Sequence, residues 1–127
     1  MPRYRFVDAE LVRLPLSDGD WIDVKKELNA GEYRKLIYDQ VKDTNGGPPV
    51  LDVSKVGLSK LLAYLVAWSF TNKQQQPEPY SLEQSEEDRS ALLDNLDQAT
   101  YKELIAAVTA HEAADDAKKN TPGGAIS

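Results

Sequence analysis

Few side chains in this sequence have a type and spacing suited to chemistry. The single histidine, His111, is followed by Glu112, but a general base needs an orienting partner and a nucleophile within reach, and this spacing supplies neither. We therefore expect His111 to lie at the surface or at the edge of the core. The acids Asp18, Asp20 and Asp23 lack the spacing of an EF-hand calcium loop and are typical of a solvated hairpin tip.

Composition excludes several other kinds of site. The sequence contains no cysteine, which excludes disulfides, thiolate nucleophiles and cysteine-based metal centres, and one histidine excludes multi-histidine metal sites. The glycine-rich residues 45–49 lack the spacing of a phosphate-binding loop and follow a predicted helix rather than a strand. We therefore predict that the protein is not an enzyme and that it holds no cofactor and no metal.

The charge balance argues against nucleic acid as a partner. The chain has 15 Lys and Arg against 21 Asp and Glu, a formal net charge of −6, whereas nucleic-acid-binding domains need a basic surface. The acids between residues 78 and 116 have two interpretations: a solvated surface, which we favour, or a surface that steers a basic or amphipathic protein partner. No stretch approaches the roughly 20 apolar residues of a membrane span, and no signal sequence is predicted.

The N-terminal part of the chain predicts a β-hairpin over residues 11–28. Branched and aromatic residues at 11–14 and 21–24 flank an Asp-Gly pair, and glycine accepts the positive φ that a tight turn needs. Pro15 cannot donate a hydrogen bond within a sheet, so the first strand is expected to be an edge strand or to end there.

From Asn29 onward the pattern is helical. Asn29 and Glu32 have the spacing of a capping box. The predicted inner face of the first helix carries apolar residues at helical spacing: Tyr33, Leu36, Ile37 and Val41. Helices are predicted over residues 30–43, 53–69, 86–96 and 98–115. The second is the most apolar, so we expect it to be the central helix of the core.

These elements predict an α+β fold that is mainly α, with an N-terminal β-hairpin followed by about four helices. Residues 1–116 are expected to form a single globular domain, and residues 117–127 a flexible C-terminal tail, because the chain there becomes rich in Ala, Asp, Lys and Gly.

Three ordered segments resemble one protein family. They are LPLSDGDWIDVK at residues 14–25, followed by LNAGE; AYLVAWSFT at residues 63–71, followed by a polar loop with prolines; and LLDNLD at residues 92–97, followed by IAAVTAHE. Together they resemble the tail assembly chaperones of long-tailed bacteriophages with non-contractile tails, over roughly residues 11–119. Ala67 departs from the pattern, because many relatives have an acidic residue before the Trp-Ser pair.

The resemblance implies a non-enzymatic function in tail assembly. Such chaperones bind the long, helix-prone tape measure protein, keep it soluble and help to recruit tail tube subunits around it. The implied location is the host bacterial cytoplasm, and the implied partners are the tape measure protein and the tail tube protein, without nucleic acid or membrane. The apolar central helix also favours a homo-oligomer. These proteins are generally absent from the mature virion.

The family often makes a longer product by programmed frameshifting near the end of this reading frame, and the resemblance implies this longer form as a further partner. Lys118, Lys119 and Asn120 are compatible with a slippery run of adenines, and they are equally compatible with the ordinary composition of a polar tail.

We predict that the partner-binding residues are Trp21, Asp23 and Lys25 on the hairpin and Trp68 and Phe70 at the apolar end of the central helix. Tryptophan is common both in protein cores and in interface hot spots, so exposure in the fold decides between these two interpretations. Two other functions stay open: a structural virion component, such as a head–tail connector or tube-associated protein, and a small antitoxin-like regulatory protein.

Overall fold

The computed structural model describes residues 5–42, 46–48 and 50–119. Its strands are β1 (Leu11–Pro15), β2 (Trp21–Lys25), β3 (Val41–Lys42), β4 (Val50–Leu51) and β5 (Leu65–Trp68). Its helices are α1 (Ala30–Asp39), α2 (Val53–Tyr64), α3 (Glu86–Asp94) and α4 (Gln98–Lys119). The N-terminal hairpin and the four helices confirm the predicted α+β, mainly α class.

The β1–β2 hairpin forms where the sequence predicts it. The strands pair antiparallel, with Pro15 opposite Trp21 at the turn end. The chain reverses through a short 3-10 turn in which Asp18 and Gly19 have φ angles of +57° and +80°, a region that glycine and aspartate tolerate better than most residues. β1 is an edge strand, as the proline indicated.

The helix predicted over residues 53–69 is wrong beyond Tyr64. There α2 ends, and the next four residues form β5, which pairs antiparallel with β2 in a three-stranded sheet of order β1-β2-β5. The Ser69 N–H extends this pairing, because it donates to the Trp21 carbonyl oxygen at 3.1 Å. The second edge of β2 thereby gains the hydrogen-bond partners that a two-stranded hairpin would leave unmatched.

A β-bulge explains why β5 resembles a helix in the sequence. The register with β2 shifts between Asp23 and Val24, so that two residues of β5 lie where an ideal ladder has one. Leu65 and Trp68 therefore both face the core although they are three residues apart. Together with Leu61 they follow helical spacing, and periodicity cannot distinguish a bulged strand from one more helical turn.

Trp68 and Arg89 tie the helix-to-strand junction to the loop before α3. The Trp68 ring lies 5.0 Å from the ring of Tyr80, and its indole N–H donates to the carbonyl oxygen of Glu78. Arg89 Nη1 donates to the Tyr80 hydroxyl and to the Leu62 carbonyl oxygen, each at 3.5 Å. Arg89 therefore serves one of the carbonyls that α2 leaves without an intrahelical partner at its C-terminus.

The other helices differ from the predicted ones mainly at their C-terminal ends. α1 ends at Asp39, earlier than predicted, because the chain then enters β3 and pairs with β4. α3 also ends early, at Asp94. α4 is longer than predicted and includes residues 117–119, which were expected to belong to the flexible tail, whereas residues 120–127 lie outside the described residues.

The helix starts agree with their sequence signals. The Asn29 side chain accepts from the Glu32 N–H at 2.8 Å, and the Glu32 carboxylate accepts from the Asn29 N–H at 3.0 Å, so the capping box is complete. Ser85 and Asp97 accept backbone N–H groups at the starts of α3 and α4, at 3.0 and 2.7 Å.

Helix α2 is central, because it packs against each of the other three helices. Its fully buried Leu61 belongs to one apolar cluster with Ile22 of the sheet and Leu104 of α4. Gly57 permits the close approach of α4: a Cβ atom added there would lie 2.6 Å from Cδ1 of Ile105.

Replacing Gly57 by leucine is expected to lower the free energy of unfolding by about 1–3 kcal/mol, because the added side chain overpacks the contact between α2 and α4. Urea denaturation measures this change. Gly31→Leu is the matched control, since Gly31 is exposed in α1 and a Cβ atom there meets its nearest neighbour at an ordinary 3.5 Å. Equal stability of the two variants would contradict the close contact.

Trp68→Ala is expected to lower the free energy of unfolding by about 3–5 kcal/mol, because it removes a buried indole from the core. Trp21→Ala is expected to cost about 1 kcal/mol or less, because Trp21 lies on the outer face of the same sheet. Thermal and urea denaturation of the pair test the assignment of β5. Similar losses for both variants would show that β5 does not place Trp68 in the core.

Candidate functional site

The outer face of the sheet carries the predicted hairpin residues. Trp21, Asp23 and Lys25 are half-buried there, whereas Ile22 and Val24 between them are fully buried. The predicted alternation along β2 is therefore confirmed. Whether these residues bind a partner stays a prediction.

Arg13 on β1 orders two of these side chains. Its guanidinium donates from Nε and Nη2 to the two carboxylate oxygens of Asp23, at 2.9 and 3.1 Å. It also lies 3.6 Å from the centre of the Trp21 ring, in cation–π geometry. Arginine and tryptophan are both common in interface hot spots. The outer face, with Arg13 stacked on Trp21, is therefore still a candidate contact surface.

Lys25 connects the outer face to α1 through an ion pair with Glu32. Burial raises the pKa of the Glu32 carboxyl, but hydrogen bonds from the Asn29 N–H and the Lys25 ammonium lower it by more. The net effect is a pKa below the ordinary value, which means that the folded protein favours the ionised carboxylate. Both partners of this ion pair therefore have a structural function at the start of α1.

Trp68 and Phe70 were predicted to lie at the apolar end of the central helix. The structure corrects this placement, because Trp68 is the last residue of β5 and Phe70 follows the strand. Trp68 is only 8% exposed and belongs to the core. Phe70 is partly buried, and its ring lies 4.9 Å from that of Trp68. Of the residues singled out for frameshifting, Lys118 and Lys119 lie in the last turn of α4, and Asn120 lies outside the described residues.

Exposed apolar side chains instead concentrate along α1 and β4. Eight large hydrophobic side chains are exposed in the described part of the chain, and five of these form what we call the α1 patch: Tyr33, Ile37, Tyr38, Val50 and Leu51. Tyr33 and Ile37 are one helical turn apart, and Val41 follows at the same spacing and pairs with Leu51. Apolar surface of this kind is typical of sites that bind other proteins.

Of the residues predicted for the inner face of α1, Leu36 is buried as expected, whereas Tyr33 and Ile37 are exposed and Val41 lies beyond the helix, in β3. Of the ten residues of α1, Leu36 alone is buried. The signal that was missed is the width of the apolar stripe, because α1 carries apolar residues at 33, 36, 37 and 38, more than contact with α2 can cover.

A groove of about 1070 Å³ lies between α1, α2 and α3. Leu58 and Leu62 line it from α2, and both are half-buried. Tyr38 lines it from α1 and is 77% exposed. Tyr38 is therefore common to the groove and the α1 patch, whereas Tyr33 and Ile37 line a second cavity, between α1, α2 and α4.

His111 has a structural role at the edge of the core, as expected. Its Nε2 atom lies 3.0 Å from the carbonyl oxygens of both Lys25 and Lys26. Because both carbonyls are acceptors, Nε2 carries the proton and donates to them. The ring also contacts Tyr64 edge-on at 5.9 Å between centroids. His111 therefore joins α4 to the end of β2.

Within the described ranges, no group of three or more histidine or acidic side chains is close enough together to hold a metal ion. In the same ranges no helix combines the length and the apolar character that crossing a membrane requires.

The capping carboxylate of α1 predicts a pH dependence. Because the pKa of Glu32 is lowered in the folded state, its stabilising contribution is present above the unfolded-state pKa and is lost as the pH falls through the folded-state value. We expect Glu32→Gln to lower the melting temperature at neutral pH and to reduce the slope of melting temperature against pH below about pH 4.5. Melting curves between about pH 2 and 7 measure this, and an unchanged slope would contradict it.

The α1 patch and the groove are thus the described surfaces best suited to binding another protein. No protein-family model matches the chain, and neither the curated proteins nor the solved structures contain a match to it.

Proposed function

We propose that the protein is an assembly chaperone for long, non-contractile phage tails. In this proposal it binds and solubilises the tape measure protein and helps to recruit tail tube subunits during tail morphogenesis. It acts by binding alone, in the host bacterial cytoplasm, and leaves the assembly before the virion is complete.

The observation that supports this proposal best is the α1 patch. The protein has a net charge of −6, and it leaves five large apolar side chains exposed along α1 and β4. This combination suits a soluble protein that binds other proteins. An amphipathic helix of a partner can place its apolar face on such a surface. The resemblance of residues 14–25, 63–71 and 92–97 to tail assembly chaperones suggests the identity of that partner.

Weak binding at each copy is compatible with this function. A long tape measure protein offers many helical segments, and several copies bound along one chain would retain it by avidity. Homo-oligomerisation and a longer frameshifted product belong to the same proposal.

Co-expression with the tape measure protein of the same gene neighbourhood tests the proposal. We expect the tape measure protein to become soluble only with this chain and to co-purify with several copies of it. A tape measure protein that stays insoluble and unbound, together with this chain in purified particles, would overturn the proposal in favour of a structural virion component. Tight one-to-one binding to a toxin encoded beside it would favour the antitoxin-like function.

The double variant Tyr33→Ser/Ile37→Ser is expected to lower the recovery of soluble tape measure protein about fivefold or more, because it removes apolar contacts from the α1 patch. Leu11→Ser is the matched control, since Leu11 is 55% exposed and Tyr33 is 57% exposed, but Leu11 lies on the outer face of the sheet. A loss caused by Leu11→Ser alone would place the contact on that face.

A further inference from the structure

We propose that the groove between α1, α2 and α3 binds one amphipathic helix of a partner protein and selects helices with Lys or Arg residues about seven positions apart. This inference rests on the proposed function for the identity of the partner, the tape measure protein. The groove, its apolar lining and its charges define the chemistry of the helix that fits.

The apolar lining suits a helix. Leu58 and Leu62 are one turn apart on α2 and retain partial exposure in the groove. On the facing side, α3 contributes only the small side chains of Ser90 and Ala91 between its two ends. Small side chains at a contact allow two helix axes to approach closely, so a partner helix can lie along α3 with its apolar residues on the leucines.

The charge of the groove is strongly asymmetric. Asp39, Glu86, Glu87 and Asp94 line it, against Lys55 as the one cation among its described lining residues. Two of these four acids already share an ion pair with Lys35, which lies 2.6 Å from Asp39 and 3.2 Å from Glu86.

Glu87 and Asp94 are the two acids that a partner can use. Neither forms an ion pair within the described residues, and both are exposed. They are seven residues apart on α3, so they lie on one face, separated by roughly 10 Å along the helix axis. Basic side chains seven residues apart on a second helix repeat the same distance, and each can pair with one carboxylate.

The position of Asp94 supports a function in binding rather than in folding. It is the last residue of α3, where the negative end of the helix dipole disfavours a carboxylate. Among the described residues no cation forms an ion pair with Asp94, so no ion pair offsets this unfavourable interaction in the isolated fold. A basic side chain of a bound helix would supply the missing opposite charge.

Two labelled synthetic peptides test the inference with the full chain. Both are helices of about three heptads with the same Leu and Ala face. One peptide carries pairs of Lys residues, seven positions apart in sequence, along each edge of that face. The other peptide carries Glu at the same positions. We expect the Lys peptide to bind more tightly in fluorescence anisotropy. Its affinity should fall between about 0.1 M and 1 M salt, because the Debye length shrinks from about 10 Å to 3 Å.

The variant Glu87→Gln/Asp94→Asn is expected to weaken binding of the Lys peptide about fivefold to tenfold. Its melting temperature should stay close to that of the wild type, because the substitutions at opposite ends of α3 have opposite effects through the helix dipole. The matched control is Glu83→Gln/Asp88→Asn, which also removes two exposed acidic charges but at positions that do not line the groove. The control should bind as the wild type does.

Three results would each overturn the inference that the groove binds a basic helix. They are equal affinity of the two peptides, no binding of the Lys peptide, and an equal loss of affinity in the control variant. Failure of the proposed function is a separate result, namely that the wild-type chain leaves the tape measure protein insoluble. If the wild type solubilises the tape measure protein and the groove variant does so equally at low salt, the chaperone proposal stands and the groove inference falls.

Discussion

The direct continuation of α2 into β5 is the constraint on which the rest of the structure depends. Leu61 at the end of the helix and Leu65 at the start of the strand are both fully buried, so one apolar run contributes to the helical layer and to the sheet. Without β5 the sheet would be a two-stranded hairpin, which is only marginally stable in water. The same junction places Trp68 against Tyr80, and Arg89 then links α3 to the end of α2. The sheet, α2 and α3 are thus held together at one point.

The position of α2 also determines which apolar surfaces remain exposed. Since α1, α3 and α4 all pack on α2, each covers only part of it, and Leu58 and Leu62 stay partly exposed between α1 and α3. α1 buries little more than Leu36, so its remaining apolar residues face outward. The acids of α3 border the groove and place negative charge beside its leucines. Tyr38 lines this groove, whereas Tyr33 and Ile37 lie on the other side of α1, in a second cavity between α1, α2 and α4.

Sequence reasoning succeeded where the cause of a structure lies within a few residues. The Asp18-Gly19 turn, the Asn29–Glu32 capping box and the alternation along β2 each depend on local backbone geometry or short-range hydrogen bonds, and each is present. It failed for β5, because a β-bulge gives the strand the spacing of a helix. The pattern also did not separate buried from exposed aromatic residues, since Trp68 and Tyr33 both stand in an apolar pattern, yet Trp68 is buried and Tyr33 is exposed.

The sequence by itself therefore determined the class of the fold, the hairpin, the starts of the helices and the acidic, cysteine-free composition. Only the tertiary structure decided where α2 ends, which aromatic side chains stay exposed and which carboxylates lack a partner. The physical reason is the range of the interactions involved. A cap or turn joins neighbours in the chain, whereas Ile22 meets Trp68, and Lys35 meets Glu86, only after distant segments have competed for the same contacts.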